Sequence, residues 1–172
     1  MSITINKATN ANIYVDGQNY LGKADEVNLP TPKSKNAAHN PLGIIGELEY
    51  FSGFEKMEAK IKWNSYYPDV IKKFSNVFKS IKLQVRFSVE QYEDGSRIGQ
   101  IPGVAYITCR PNDLPGGNFK SKDNVELESN LSVTYYKLEI GGEEMVEYDA
   151  EANIYVVGGE DLLATYRAHL GI

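Results

Sequence analysis

A chain of 172 residues, 42% of them hydrophobic, is long enough to bury one substantial core and too short for a second independent domain to be expected. Its formal net charge of -5, with acids and bases interspersed, provides no basic stripe to neutralise phosphates and so argues against tight nucleic-acid binding. Cys109 is the only cysteine, which excludes an intramolecular disulfide and a thiolate-rich metal site, while abundant glycine, tyrosine and asparagine favour strands and turns over helices.

The segment from Met1 to Lys7 lacks the basic start and apolar run of a secretory signal, and no uncharged apolar stretch approaches a membrane span. Synthesis and folding in the cytoplasm are expected, with no membrane insertion by this chain. Asp16-Gly17 lies between Ile13-Tyr14-Val15 and Tyr20-Leu21, a hairpin signal because both turn positions take positive φ in the turn that suits twisted strands. Pro30 and Pro32 then end the second strand. Residues 33–54, with Asn40-Pro41, Gly43, Gly46 and Gly53, read as a long loop broken by short extended pieces.

Met57 to Trp63 alternates apolar with charged residues, predicting a strand with one face on the core. Pro68 suits the first turn of a helix over Pro68 to Asn76, whose apolar stripe is Val70, Ile71 and Phe74. Ile81, Leu83, Val85, Phe87 and Val89 alternate with polar residues in the clearest strand of the chain. Glu93-Asp94-Gly95 turns it into Ile98 to Arg110, a partner bent by Gly99, Pro102 and Gly103. After a loop over Pro111 to Asn118, Val125 to Ile140 reads as a second long strand, and Gly141-Gly142 as a tight connection to Met145–Tyr148. Asn153 to Val157 adds a short strand. Glu160-Asp161 is then expected to open a terminal helix with Leu162, Leu163, Tyr166 and Leu170 on one face and Arg167 and His169 near its favourable dipole end. The whole is one domain, 1–172: mainly β, sandwich- or barrel-like, with one short internal helix and a C-terminal helix.

Little in the chain carries chemistry. His39 and His169 are the only histidines and neither is framed by a nucleophile motif, while Cys109 in a strand reads as a small buried hydrophobe. Gly43 and Gly46 match no phosphate-cradling loop. The acids Glu143, Glu144, Glu147, Asp149, Glu160 and Asp161 lack the oxygen-ligand spacing of a calcium loop, and Glu55 and Glu58 flank a strand with nothing to raise either pKa. Asn130-Leu131-Ser132 matches a glycosylation sequon, by accident in a strand of a chain without a signal peptide. No cofactor or metal is expected. Twelve tyrosines, with pairs at Tyr66-Tyr67 and Tyr135-Tyr136, suit either a tyrosine-rich β core or protein interfaces.

Three stretches carry a resemblance: Asn12-Ile13-Tyr14-Val15-Asp16-Gly17 followed by Gly22 and Leu29-Pro30; Gly53-Phe54-Glu55-Lys56-Met57-Glu58-Ala59; and Tyr135-Tyr136-Lys137-Leu138-Glu139-Ile140 with Glu143 to Asp149, Asp161-Leu162, Arg167 and Leu170-Gly171-Ile172. In this order they resemble the major tail tube proteins of contractile phage tails and R-type tailocins, over nearly the whole chain. Ala37 to Gly43 departs from the glycine-rich loop stretch of that family, and Gly158-Gly159-Glu160 replaces its Asn-Gly-Val-like turn.

The resemblance implies a structural subunit and no enzyme. Copies form hexameric rings that stack into a tube inside a sheath, with baseplate and tape-measure proteins as further partners and DNA only as transient cargo. The particle is a virion tail or a tailocin. Lining of the channel is expected from the polar faces of two strands, exposing Lys82, Gln84, Arg86, Ser88, Glu90, Glu126, Glu128, Ser132 and Thr134. Ring-to-ring contact is expected from the 33–54 excursion through Leu42, Ile44, Ile45 and Phe51, which are expensive to expose in a monomer. The C-terminal helix is expected on the outer, sheath-facing side. Rival readings are a type VI secretion-like tube protein, a soluble β-barrel that binds a small ligand, and, weakest, an enzyme.

Overall fold

The computed structural model describes residues 3–172, so Met1 and Ser2 of the expected start lie outside it. Asp16 and Gly17, at φ 48° and 80°, close the first hairpin between β1 (Thr4–Val15) and β2 (Gln18–Asn19). The return strand is shorter than the sequence predicts. β1 is longer: its Thr4–Asn12 stretch pairs with β7 (Ile81–Glu93) although it carries almost no apolar alternation of its own.

The remaining elements are β3 (Ala24–Asn28), β4 (Ser34–His39), β5 (Leu48–Phe54), β6 (Met57–Trp63), α1 (Pro68–Phe74), β8 (Ser96–Pro111), β9 (Leu127–Ile140), β10 (Glu143–Asp149), β11 (Ile154–Val157), β12 (Glu160–Asp161) and α2 (Ala164–Leu170). The fold is mainly β with a short internal and a C-terminal helix, as expected. One antiparallel sheet runs in the order β12-β11-β10-β9-β8-β7-β1-β2, and β9 also pairs with β6, which pairs with β3. Along one edge of β9, Leu127–Val133 bonds to β6 and Tyr135–Ile140 to β10. Thr134 between them has no opposing residue on β8, where Thr108 faces Tyr135 and Cys109 faces Val133.

The sheet surrounds one core built from the inward residues of β1, β6, β7, β8 and β9, and α1 closes it with Val70 and Phe74. Trp63 packs against Phe74 at 5.1 Å and against Tyr20 at 5.9 Å. Alternation does in β6 and β7 what the sequence predicts, since Met57, Ala59, Ile61 and Trp63, and Ile81, Leu83, Val85 and Val89, are all buried.

Two further segments differ from what the sequence predicts. Residues 33–54 form a separate two-stranded sheet of β4 and β5, so most of the excursion is a hairpin arm and only its tip is irregular. Glu160 and Asp161 do not open the last helix. They pair with Val156 and Val157 as β12, Asp161 accepts the backbone N–H of Leu163, and the helix starts at Ala164. None of its residues is buried, and Leu162, Tyr166 and Leu170 stand about half exposed.

Candidate assembly interface

The strands that make the core present their other face to solvent, and the register aligns that face in rows. Arg86 lies beside Val104, which lies beside Glu139; Gln84 beside Tyr106 and Lys137; Lys82 beside Thr108 and Tyr135. Lys82, Arg86 and Ser88 are exposed, Gln84 and Glu90 half-buried. The Arg86 guanidinium bonds to Gln84 at 3.1 Å and stacks over the Tyr14 ring of β1, 5.0 Å from its centroid.

Glu90 is held by Tyr92, Arg97 and Gln100, and the Tyr92 hydroxyl, before the other two, keeps its carboxyl below the usual range. Lys137 bridges Glu144 at 2.8 Å and Glu139 at 3.1 Å, and these bonds hold its ammonium charged to higher pH than an ordinary lysine. Burial, aided by a bond to Glu147, pushes the Tyr135 phenol upward.

The candidates on β9 sit elsewhere. Glu128 faces Lys62 of β6 and bridges Lys60 at 2.7 Å, Ser132 faces Glu58 and Arg110, Thr134 is the bulge residue, and Glu126 precedes the strand. All nine candidates avoid the core. Glu128 and Ser132 lie along β6, and none of the four pairs with β7. The residues that do neighbour β7 across this face are Tyr106 and Thr108 of β8 and, beyond them, Lys137 and Glu139 of β9; the last two are hidden in the sequence because the bulge at Thr134 reverses the alternation of β9 halfway.

The arm carries the other candidates. Leu42 and Ile45 at its tip are 104% and 108% exposed, and Ile44 and Phe51 are more than half exposed. At its base Phe54 inserts between Tyr148 and Tyr155, with ring centroids 4.8 Å and 4.9 Å away. A rigid foot thus holds an apolar tip in water. Clustered exposed apolar residues of this kind are uncommon on monomeric proteins.

Among the described residues, no group of three or more His, Cys, Asp and Glu side chains is arranged to hold a metal ion, and burial pushes the Cys109 thiol up to about 12. The phage tail tube protein FII family model matches residues 5–171. The chain belongs to the phage tail tube protein FII family. It is similar to the tail tube protein of Escherichia phage P2, with 25% identity over 164 residues covering 94% of each chain. This tail tube protein is accordingly a structural component of the virion, a tube subunit that self-assembles and associates with other tail components. Among its described residues no helix is long and apolar enough to cross a membrane.

Proposed function

We propose that this tail tube protein forms hexameric rings that stack into the inner tube of a contractile tail or tailocin, with the channel passing DNA or ions. The observation that carries this reading is the arm: Leu42, Ile44, Ile45 and Phe51 are held in solvent on a two-stranded stalk, where burial of each against a partner is worth about 1.5–3 kcal/mol. The arm makes ring-to-ring contacts. The polar faces bearing Lys82, Gln84, Arg86, Ser88, Glu90, Glu126, Glu128, Ser132 and Thr134 line the channel, where mixed charge leaves a passing DNA backbone free to slide. Sheath protein covers the outside near α2, and baseplate and tape-measure proteins meet the tube ends.

The test is size exclusion with negative-stain imaging at rising concentration, for the natural chain and for Leu42→Ser/Ile44→Ser/Ile45→Ser. Rings and tubes are expected from the first, and rings that do not lengthen from the second. A monomer at all concentrations overturns the ring assembly, and unchanged tube growth by the triple variant overturns the role of the arm.

A further inference from the structure

Strand direction gathers exposed apolar side chains at one end of the main sheet. β6 and β8 run antiparallel to β9, and β7, antiparallel to β8, runs parallel to it. The segments that follow Trp63 and Pro111 therefore emerge at the same end as those that lead into Ile81 and Leu127. They carry Tyr66, Phe78, Leu114 and Phe119, all exposed, Phe78 by 92% and Phe119 by 75%. The Tyr66 and Phe119 rings lie 5.8 Å apart, and a Cβ on Gly117 would stand 3.3 Å from the Tyr66 ring, so the loop backbone is seated against that pair.

The arm starts from the opposite end. Its foot, Phe54, rests on Tyr148, which lies beside Tyr136 of β9, whereas Trp63 lies beside Leu127. From Leu127 to Tyr136, β9 covers about 30 Å at about 3.3 Å per residue. Within one chain the tip does not cover the patch, since Leu42 and Ile45 are fully exposed and Phe78 nearly so.

Charge matches the two ends. Glu47 and Glu49 stand by the arm tip, while Lys79 and Lys120 follow Phe78 and Phe119 in the chain and Lys122 lies in the same loop. None of these is in an ion pair among the described residues. Of the acids in that loop, Asp113 accepts from Asn130 and Asp123 from the Asn124 N–H, which leaves Glu126 against three lysines. The other exposed apolar groups fit the tip less well. Ile3, Ile5 and Ile98 lie by the far end of β7, on the arm's side of the sheet, and α2 follows Glu160 with its Arg167 already bound to Asp161.

We infer that the arm tip of one copy docks on the Tyr66–Phe119 end of a copy in the next ring, Leu42 and Ile45 on the aromatic side chains and Glu47 and Glu49 against the lysines. The inference rests on the arm being the ring-to-ring contact and names its acceptor. Donor and acceptor at opposite ends of every copy make a head-to-tail contact that repeats without closing, which is what axial growth requires. Each junction takes apolar surface of both partners out of water.

Charge exchange and cross-linking test it. Glu47→Lys/Glu49→Lys is expected to give rings that do not lengthen, as is Lys79→Glu/Lys120→Glu/Lys122→Glu, and the two sets combined are expected to restore tubes under negative stain. Separately, Ile45→Cys is paired with Phe119→Cys or Phe78→Cys in the natural chain, whose one thiol is 1% exposed and gives little background. On oxidation of tubes, at least one pair is expected to give a ladder of linked chains that neither single variant gives. Either the rescue or the ladder supports the docking, and the absence of both overturns this acceptor. The Leu42→Ser/Ile44→Ser/Ile45→Ser variant separates that failure from failure of the arm reading: rings that still do not lengthen keep the arm as the ring-to-ring contact, and unchanged tubes remove it.

Discussion

The indole N–H of Trp63 donates to the hydroxyl of Ser129 across 3.0 Å, and both side chains are out of water. Ser129 is 2% exposed, and it is there to satisfy the one polar atom of the largest core side chain. Ser129→Ala leaves that N–H buried and unpaired, which costs about 1–3 kcal/mol. Urea unfolding of subunits kept dilute enough not to assemble measures it, and a midpoint equal to that of the natural chain refutes it.

Gly103 faces Phe87 across β7 and β8, and a Cβ on Gly103 would stand 2.3 Å from the Phe87 ring. Gly103→Ala therefore expels the ring or spreads the strands, at a cost of about 1–3 kcal/mol. The cost shrinks in a Phe87→Ala background, where nothing is left to displace. A double-mutant cycle on unfolding free energy reads this coupling directly, and additive effects count against the clash.

Phe54 fixes the arm to β10 and β11 through Tyr148 and Tyr155. Phe54→Ala should loosen the arm before it loosens the core, since β4 and β5 share no strand pairing with the main sheet. Trypsin is expected to cut sooner at Lys33, Lys35 or Lys56, with a smaller change in global unfolding. Cleavage at an unaltered rate would show that the aromatic foot does not restrain the arm.

Sequence alternation was readable where one face of a strand meets the core. Met57–Trp63 and Ile81–Val89 show it residue by residue, and the helix at Pro68 followed from its apolar stripe. It was unreadable where neither face is buried. Thr4–Asn12 is a strand because β7 offers an edge, and Ser34–His39 because Leu48–Phe54 does, so the order in both comes from a partner and leaves no period. The solvent face was half legible. Gln84 and Arg86 follow from the β7 pattern, whereas Lys137 and Glu139 were hidden by the phase reversal at Thr134. Glu160-Asp161 looked like a helix start because acids suit that position, yet the pairing of Asp161 with Val156 came first.

Asp161 also ties down α2. Its carboxylate takes both terminal nitrogens of Arg167, and Arg167 further bonds the backbone carbonyl of Asn153 at 2.8 Å. The bond to Arg167 is the largest of the causes that lower the Asp161 pKa below its ordinary value. A lowered folded pKa means the latch is complete above the unfolded value, about 3.9, and is lost as pH falls through the folded value. Amide protection at Leu163 and Arg167, corrected for intrinsic exchange, is expected to hold from pH 7 to 5 and to drop below pH 4. Asp161→Asn should show low protection at every pH. Equal protection for the two proteins at pH 7 would overturn the latch.

Cys109 reports on the opposite end of the stability range. Its sulfur lies 3.7 Å from the Ile81 carbonyl, inside the pairing of β7 with β8, and it belongs to the hydrophobic core. Burial, the larger cause, and then the Asp16 charge keep the thiol protonated, with its pKa pushed up to about 12. A thiol reagent at pH 8 has neither access nor thiolate until β7 and β8 part, so modification should follow global unfolding. Labelling at increasing reagent concentration is expected to level off at the unfolding rate measured by tryptophan fluorescence. Labelling that keeps accelerating with reagent, far above that rate, would reveal a local opening between β7 and β8 and refute a core closed at this strand pair.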